Sequence, residues 1–237
     1  MSLEPETAAT VPKPPRLGRQ RARTLEDKDL RRNDLLQAAA KLFAQTDFDG
    51  VTIANIARHA GVAKGTAYLY FSCKEAVFLE LVQAELILWE ADLNMALQAL
   101  PSARHTNAVP ASIARTLSER PMLGRLLVLL HSVIEPQLDV ESAHAFKIFL
   151  RDLVGRLGNT LIQHIPGLGP EQAVTLVMQI HALVISVTQL ASPPPVIAQV
   201  LAKDASLQLM CIGFEPFLAA TLHTLLRGTL QQSPFTY

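Results

Sequence analysis

Apolar residues recur along this chain at helical spacing, and no alternating β-branched run bounded by turn residues appears. Leu35, Ala38, Ala39, Leu42 and Phe43 form one stripe, which predicts a helix from about Glu26 to near Asp47. Thr52 can cap a short helix whose Ile53, Ile56, Ala57 and Ala60 turn inward, and Gly61 supplies the turn after it. A second short helix is predicted over Lys64–Tyr70. Ser72 and Glu75 have the spacing of a capping box, opening a long helix through about Ala99 that is apolar on several sides. Pro101 to Pro110 reads as a linker. Further helices are predicted over about Ala111–Glu119, on to about Glu135, from the Phe146 region to before Pro166, over about Glu171–Ala191, and from about Ser206 to Leu230. Pro216 should kink the last one or mark its true start. The expected fold class is all-α, with about nine to ten helices arranged as a three-helix N-terminal domain and a C-terminal bundle.

Composition fits that picture, since hydrophobic residues make up 49% of the chain and aromatics 5%, a balance suited to aliphatic helix packing. A formal net charge of zero would by itself argue against a nucleic-acid partner. The charge is unevenly spread, however: residues 13–74 hold twelve Lys and Arg against six Asp and Glu, and residues 75–237 hold nine against thirteen. A basic module joined to an acidic one follows. Residues 1–24, with four prolines and then Arg16, Arg19, Arg21 and Arg23, read as a disordered basic arm that could lie along DNA, and 232–237 as a tail. The opening residues lack the apolar run of a secretory signal, and Cys73 and Cys211 lie far apart, so a cytoplasmic protein with reduced thiols is expected. The uncharged stretch Gln172–Ala202 is interrupted by Gln179, His181, Gln189 and Pro193-Pro194-Pro195, which speaks against a membrane span.

The informative motif is the pair of short helices around Gly61. In a helix-turn-helix the first helix braces, the glycine allows a sharp crossing, and the second presents small and polar groups to the major groove. Gly65 lets the backbone come near phosphates, Tyr68 and Tyr70 offer hydroxyls, and Lys64, Thr66 and Lys74 add charge or hydrogen bonds.

Read together, Leu35-Leu36-x-Ala38-Ala39-x-x-Leu42-Phe43, then Thr52-Ile53-x-x-Ile56-Ala57-x-x-Ala60-Gly61-Val62-x-Lys64-Gly65-Thr66-x-Tyr68-x-Tyr70-Phe71-x-x-Lys74-Glu75, resemble the N-terminal domain of the TetR family of repressors. The resemblance covers roughly residues 28–80. It implies a dimer on double-stranded operator DNA, with Thr52 and Lys74 at phosphates and Lys64, Gly65, Thr66, Tyr68 and Tyr70 on the recognition helix. It also implies release by a small-molecule effector. Three positions depart from the family pattern: Ala63 lacks a capping side chain, Ala67 is small where a larger apolar residue is usual, and Asp47 occupies what is usually a left-handed glycine position. The domains expected on this basis are 25–72 for DNA binding and 73–231 for effector binding and dimerisation.

The helix at 171–191 has one apolar stripe through Ala173, Leu176, Val177, Ile180, Val184 and Val187, and further apolar residues elsewhere. Such a helix needs cover on more than one side. By the resemblance, it and the last helix would form the dimer interface, through Val177, Val184, Phe217, Leu218, Leu222 and Leu225. Trp89, His131, Glu135, Phe146, Met178 and His181 are the candidate effector contacts, and the aliphatic surroundings point to a hydrophobic or amphipathic effector. Neither HExxH nor CxxC spacing occurs, and no nucleophile elbow, so catalytic residues, metal and cofactor are all expected to be none. An accessory DNA-binder without effector, or a small helical enzyme, are the alternatives.

Overall fold

The computed structural model describes residues 17–101 and 105–231, and every regular element among them is helical. The expectations for residues 1–16 and for the tail at 232–237 lie outside the described residues. The chain divides into two compact units, the first ending at Tyr70 and the second beginning at Phe71.

The first unit contains α1 (Leu17–Gln45), α2 (Ile53–His59) and α3 (Lys64–Ala67), with a single 3-10 turn over Phe48–Gly50. Helix α1 starts inside the stretch expected to be disordered, because the last proline of that stretch is Pro15 and helix-forming residues dominate after it. Leu35, Ala38, Ala39 and Phe43 of the stripe are buried against the turn and α2, which contribute Phe48, Val51, Ile53, Ile56 and Ala57. Each large side chain so buried contributes about 1.5–3 kcal/mol as an upper estimate. Asp47 is not left-handed as expected: at φ −78° and ψ 168° it is extended, and the 3-10 turn reverses the chain without strain.

The second unit holds α4 (Lys74–Gln98), α5 (His105–Ser118), α6 (Pro121–Leu129), α7 (Val140–His164), α8 (Pro170–Ala191), α9 (Pro195–Lys203) and α10 (Phe214–Gln231). Ser72 does not cap α4, whose N-cap is Cys73, without a side-chain cap hydrogen bond. Helix α5 begins at His105, inside the expected linker, and carries Pro110 within it. Between α6 and Pro136 the chain widens into a π-turn over Leu130–Ile134 and then a 3-10 turn over Glu135–Gln137. Asp139 caps α7, its carboxylate accepting from the Ser142 N–H at 2.7 Å. The last helix starts at Phe214, which places Pro216 in its first turn, where a proline is tolerated.

Helix α8 is the hub. By length and composition it could cross a membrane, yet it packs on α6, α7 and α10, with Ala173, Leu176, Val177, Ile180, Val184 and Val187 buried. Its approach to α6 depends on Gly124, where an added Cβ would sit 2.8 Å from Thr188 Oγ1. That hydroxyl is buried and has no hydrogen-bond partner among the described residues. Gly124→Ala is therefore expected to destabilise by about 1–3 kcal/mol through overpacking. Thr188→Ala, which removes a buried unsatisfied group, should relieve most of that loss in the double variant. Chemical denaturation of the four proteins in this cycle checks it; additive effects would contradict the contact.

Candidate functional site

Two sites emerge, one in each unit. In the first, Thr52 Oγ1 accepts from the Asn55 N–H at 3.2 Å and fixes the start of α2. Gly61 makes the turn at φ +68°, a conformation that only glycine adopts cheaply. Helix α3 is one turn long: Lys64, Gly65 and Thr66 are helical, Tyr68 is its C-cap, and Tyr70 lies beyond it in a tightened turn closed by its N–H on the Ala67 carbonyl at 3.0 Å. Helix α3 is thus shorter than the expected Lys64–Tyr70. Ala63 supplies no side-chain cap, as its sequence implies, and Ala67 is fully buried beneath the helix, its small size letting α3 lie close to the unit's core.

Outward, this face presents Thr52, Lys64, Gly65 and Tyr68, with Lys64 Nζ lying 5.9 Å from the centre of the Tyr68 ring. A Cβ added at Gly65 would meet nothing within 4 Å among the described residues, so its lack of a side chain serves no packing need there. Lys74 opens α4 in the second unit.

The second site is a cavity of about 500 Å³ in the second unit. Helix α4 gives it Leu86, Trp89 and Leu93, α5 gives Ile113 and Leu117, and α6 gives Leu123 and Leu127. Leu153, Leu157 and Leu161 of α7 and Val177, Ile180 and Val184 of α8 complete the apolar wall. Trp89 is held in place because its indole N–H donates to Thr116 Oγ1 at 3.2 Å, and that hydroxyl in turn donates to the Ser112 carbonyl. Polar groups gather on one part of the lining: His131 from the π-turn, His181 from α8, and Lys147 and Arg151 from α7. His131 Nε2 and His181 Nε2 are 2.9 Å apart, His131 Nδ1 is 3.1 Å from Glu135 Oε2, and Lys147 Nζ donates to Glu135 Oε1 at 2.6 Å. Burial, together with the neighbouring His131, pushes the His181 pKa below that of a free imidazole. Although partial burial raises it, the Glu135 pKa ends up lowered by its hydrogen bonds to Lys147 and His131.

Known proteins match both units. The model of bacterial regulatory proteins of the tetR family matches residues 35–81, and that of the tetracyclin repressor-like C-terminal domain matches residues 83–233. The chain belongs to the TetR family. The HTH-type transcriptional regulator YfiR of Bacillus subtilis is 31% identical to this TetR-family chain over 96 residues, 40% of the chain. The match spans only 43% of that curated relative's own length. Among solved structures, the fatty acid degradation regulator FadR from Bacillus halodurans superposes with a TM-score of 0.55 at 16% identity, covering 86% of this chain and 97% of FadR. FadR from Thermus thermophilus, solved with lauroyl-CoA, gives 0.52 at 20% identity, covering 87% and 99%. At these identities the superpositions establish a shared fold.

Within this TetR-family fold, Trp89, His131, Met178 and His181, the expected effector contacts, line the cavity. Phe146 does not: it is fully buried in the core and stacks on Phe149 at 6.1 Å. Glu135 is absent from the lining and instead contacts His131 and Lys147. Val177 and Val184, expected at a dimer face, are 7% and 1% exposed and line the cavity instead, because the expected stripe is the one that faces inward. Leu218 and Leu222 are likewise buried within the chain and Leu225 is half-buried, whereas Phe217 is 41% exposed. Lys147 and Arg151 were missed. They stand four residues apart on α7, so the signal was present, but it was masked by the apolar stripe on the same helix.

Proposed function

We propose that this TetR-family regulator is a homodimeric, cytoplasmic repressor that binds a near-palindromic operator and releases it when an amphipathic acyl-chain ligand fills the cavity. The observation that carries the reading is an aliphatic cavity with a cluster of cationic and imidazole groups on part of its lining, in the same chain as a helix-turn-helix. An alkyl chain suits the Leu and Val walls, and a polar or anionic head suits Lys147, Arg151 and the two histidines. The lauroyl-CoA bound by the Thermus thermophilus relative is a ligand of that build. A built cavity also weighs against an accessory DNA-binder without effector.

For two recognition helices to enter successive major grooves they must lie about 34 Å apart, which requires a dimer. The face assigned to the partner is the outer side of α8 and α10, where Leu190 and Phe217 are 55% and 41% exposed. Sedimentation at micromolar concentration should give twice the chain mass, and Leu190→Glu with Phe217→Glu should halve it. A charge at Val184 should instead unfold the chain, since that side chain is buried.

DNA binding is tested by titrating the dimer against operator and random duplexes over a range of salt. Lys64→Ala should weaken operator binding by about 1–3 kcal/mol and random DNA far less, as a base-reading residue does. Lys74→Ala should weaken both alike and flatten the log–log salt slope by about 1. Equal weakening of both duplexes by Lys64→Ala would reassign that residue to a phosphate.

A further inference from the structure

The two histidines on the cavity lining form an arrangement that permits only certain proton counts. Glu135 Oε2, 3.1 Å from His131 Nδ1, requires that nitrogen to carry a hydrogen. The facing Nε2 atoms, 2.9 Å apart, have room for one hydrogen between them. In the neutral pair His181 Nε2–H donates to His131 Nε2. One added proton enters at His181 Nδ1 while the bridging hydrogen shifts to His131, whose imidazolium then rests on Glu135. The same geometry serves both states. A second added proton would place two hydrogens face to face and break the contact. The pair therefore cycles between zero and one positive charge.

That single charge decides the electrostatics of the polar lining. Lys147 is matched by Glu135 at 2.6 Å, and Arg151 by Asp152 at 2.7 Å. These four groups sum to zero. Elsewhere around the cavity, α4, α5 and α6 contribute Trp89 and aliphatic side chains; Arg125 of α6 and Glu215, His223 and Arg227 of α10 lie outside the lining, and the one formal charge on α8 is Glu171, ten residues before His181. His144 is exposed on α7, three residues before Lys147. With the histidine pair neutral, an anionic head group meets no net positive charge; with one proton bound, it meets one.

We propose that the His131–His181 pair is a proton-linked anchor, so that an amphiphile with an anionic head enters this cavity together with one proton. This rests on the reading of the cavity as an acyl-chain site, and it deepens that reading by naming the head-group charge and its regulation. The sign is fixed: the protonated pair attracts the anion, so affinity rises as pH falls, and bound anion raises the pair's own affinity for the proton.

The test uses the full chain and two amphiphiles of equal chain length, decanesulfonate, whose charge is constant, and decanol, which has none. Trp89, the one tryptophan and part of the cavity wall, reports binding by fluorescence. Between about pH 8 and about pH 6, decanesulfonate should bind up to ~tenfold more tightly per pH unit, whereas decanol should not change. His181→Gln and His131→Gln should each flatten the sulfonate slope. Calorimetry of the unaltered chain in two buffers of different ionisation heat should show up to one proton taken up per sulfonate, whatever the variants do to folding. Sulfonate binding with a flat slope and no proton uptake overturns the anchor while leaving the acyl reading intact. Equal slopes for both amphiphiles also overturn it. If neither amphiphile binds at any pH, the acyl reading itself fails and the anchor with it.

Discussion

Gly65→Met is expected to reduce operator affinity by about 100-fold while leaving the fold at least as stable. A Cβ added at Gly65 meets no atom of the described residues within 4 Å, and exchanging a helical glycine for a good helix former gains up to about 1 kcal/mol. In the operator complex the same side chain would hold the exposed start of α3 away from the DNA backbone. One lost close approach is taken as ~1.4 kcal/mol, or tenfold, and a dimer suffers it twice. Thermal melting and anisotropy titration on the same preparation separate the two effects. An unchanged operator affinity would show that Gly65 does not face DNA.

Arg120→Met is expected to lower stability by about 2 kcal/mol, the largest loss foreseen for any single charged group. Its guanidinium bridges two carboxylates seven residues apart on one face of α4, Asp92 at 2.7 Å and Glu85 at 3.2 Å. Arg120 and Glu85 are each 19% exposed and Asp92 is 32% exposed, so solvent screens the pair only in part. Removing the cation strands two half-buried carboxylates, which costs less than the 3–5 kcal/mol of a fully buried pair but more than a surface one. For a chain of this size the midpoint should fall by about 4–8 °C. Arg120→Lys should recover only part, since an ammonium cannot bridge both oxygens bidentately. Trp89 lies between the two carboxylates in sequence and forms part of the cavity wall, so the same variant should also weaken ligand binding. A melting point within a degree of the parent would contradict the clamp.

The parts of this fold that could be read from the sequence were those where local signals agree. Thr52, Gly61 and the apolar stripe of α1 each specify their own conformation, and the helix-turn-helix follows from them. Helix ends set by tertiary packing could not be read in the same way. Ser72 and Glu75 have capping-box spacing, yet α4 starts from Cys73, and the π-turn at Leu130–Ile134 has no local signature. Helix α9 is hidden because the proline triplet Pro193-Pro194-Pro195 reads as a stop, although Pro195 opens the helix at its first turn.

Site legibility divided in the same way. His131 and His181 stood out as polar residues on apolar helices, but their mutual contact spans fifty positions and no local pattern reveals it. The inward placement of the stripe expected at a dimer face is hidden from the sequence for a related reason. A helix apolar on two sides shows that two covers exist, and only the packing shows which side faces the chain's own cavity; Val177 and Val184 proved to be that side.

Reciprocal coupling decides whether the proposed effector cavity governs the helix-turn-helix. Operator affinity of the proposed dimer should be measured with and without saturating lauroyl-CoA, and lauroyl-CoA affinity with and without operator. Each ligand is expected to weaken the other by the same factor, at least ~tenfold, which is ~1.4 kcal/mol of coupling. Lauroyl-CoA that binds with equal affinity to free and operator-bound dimer would contradict it.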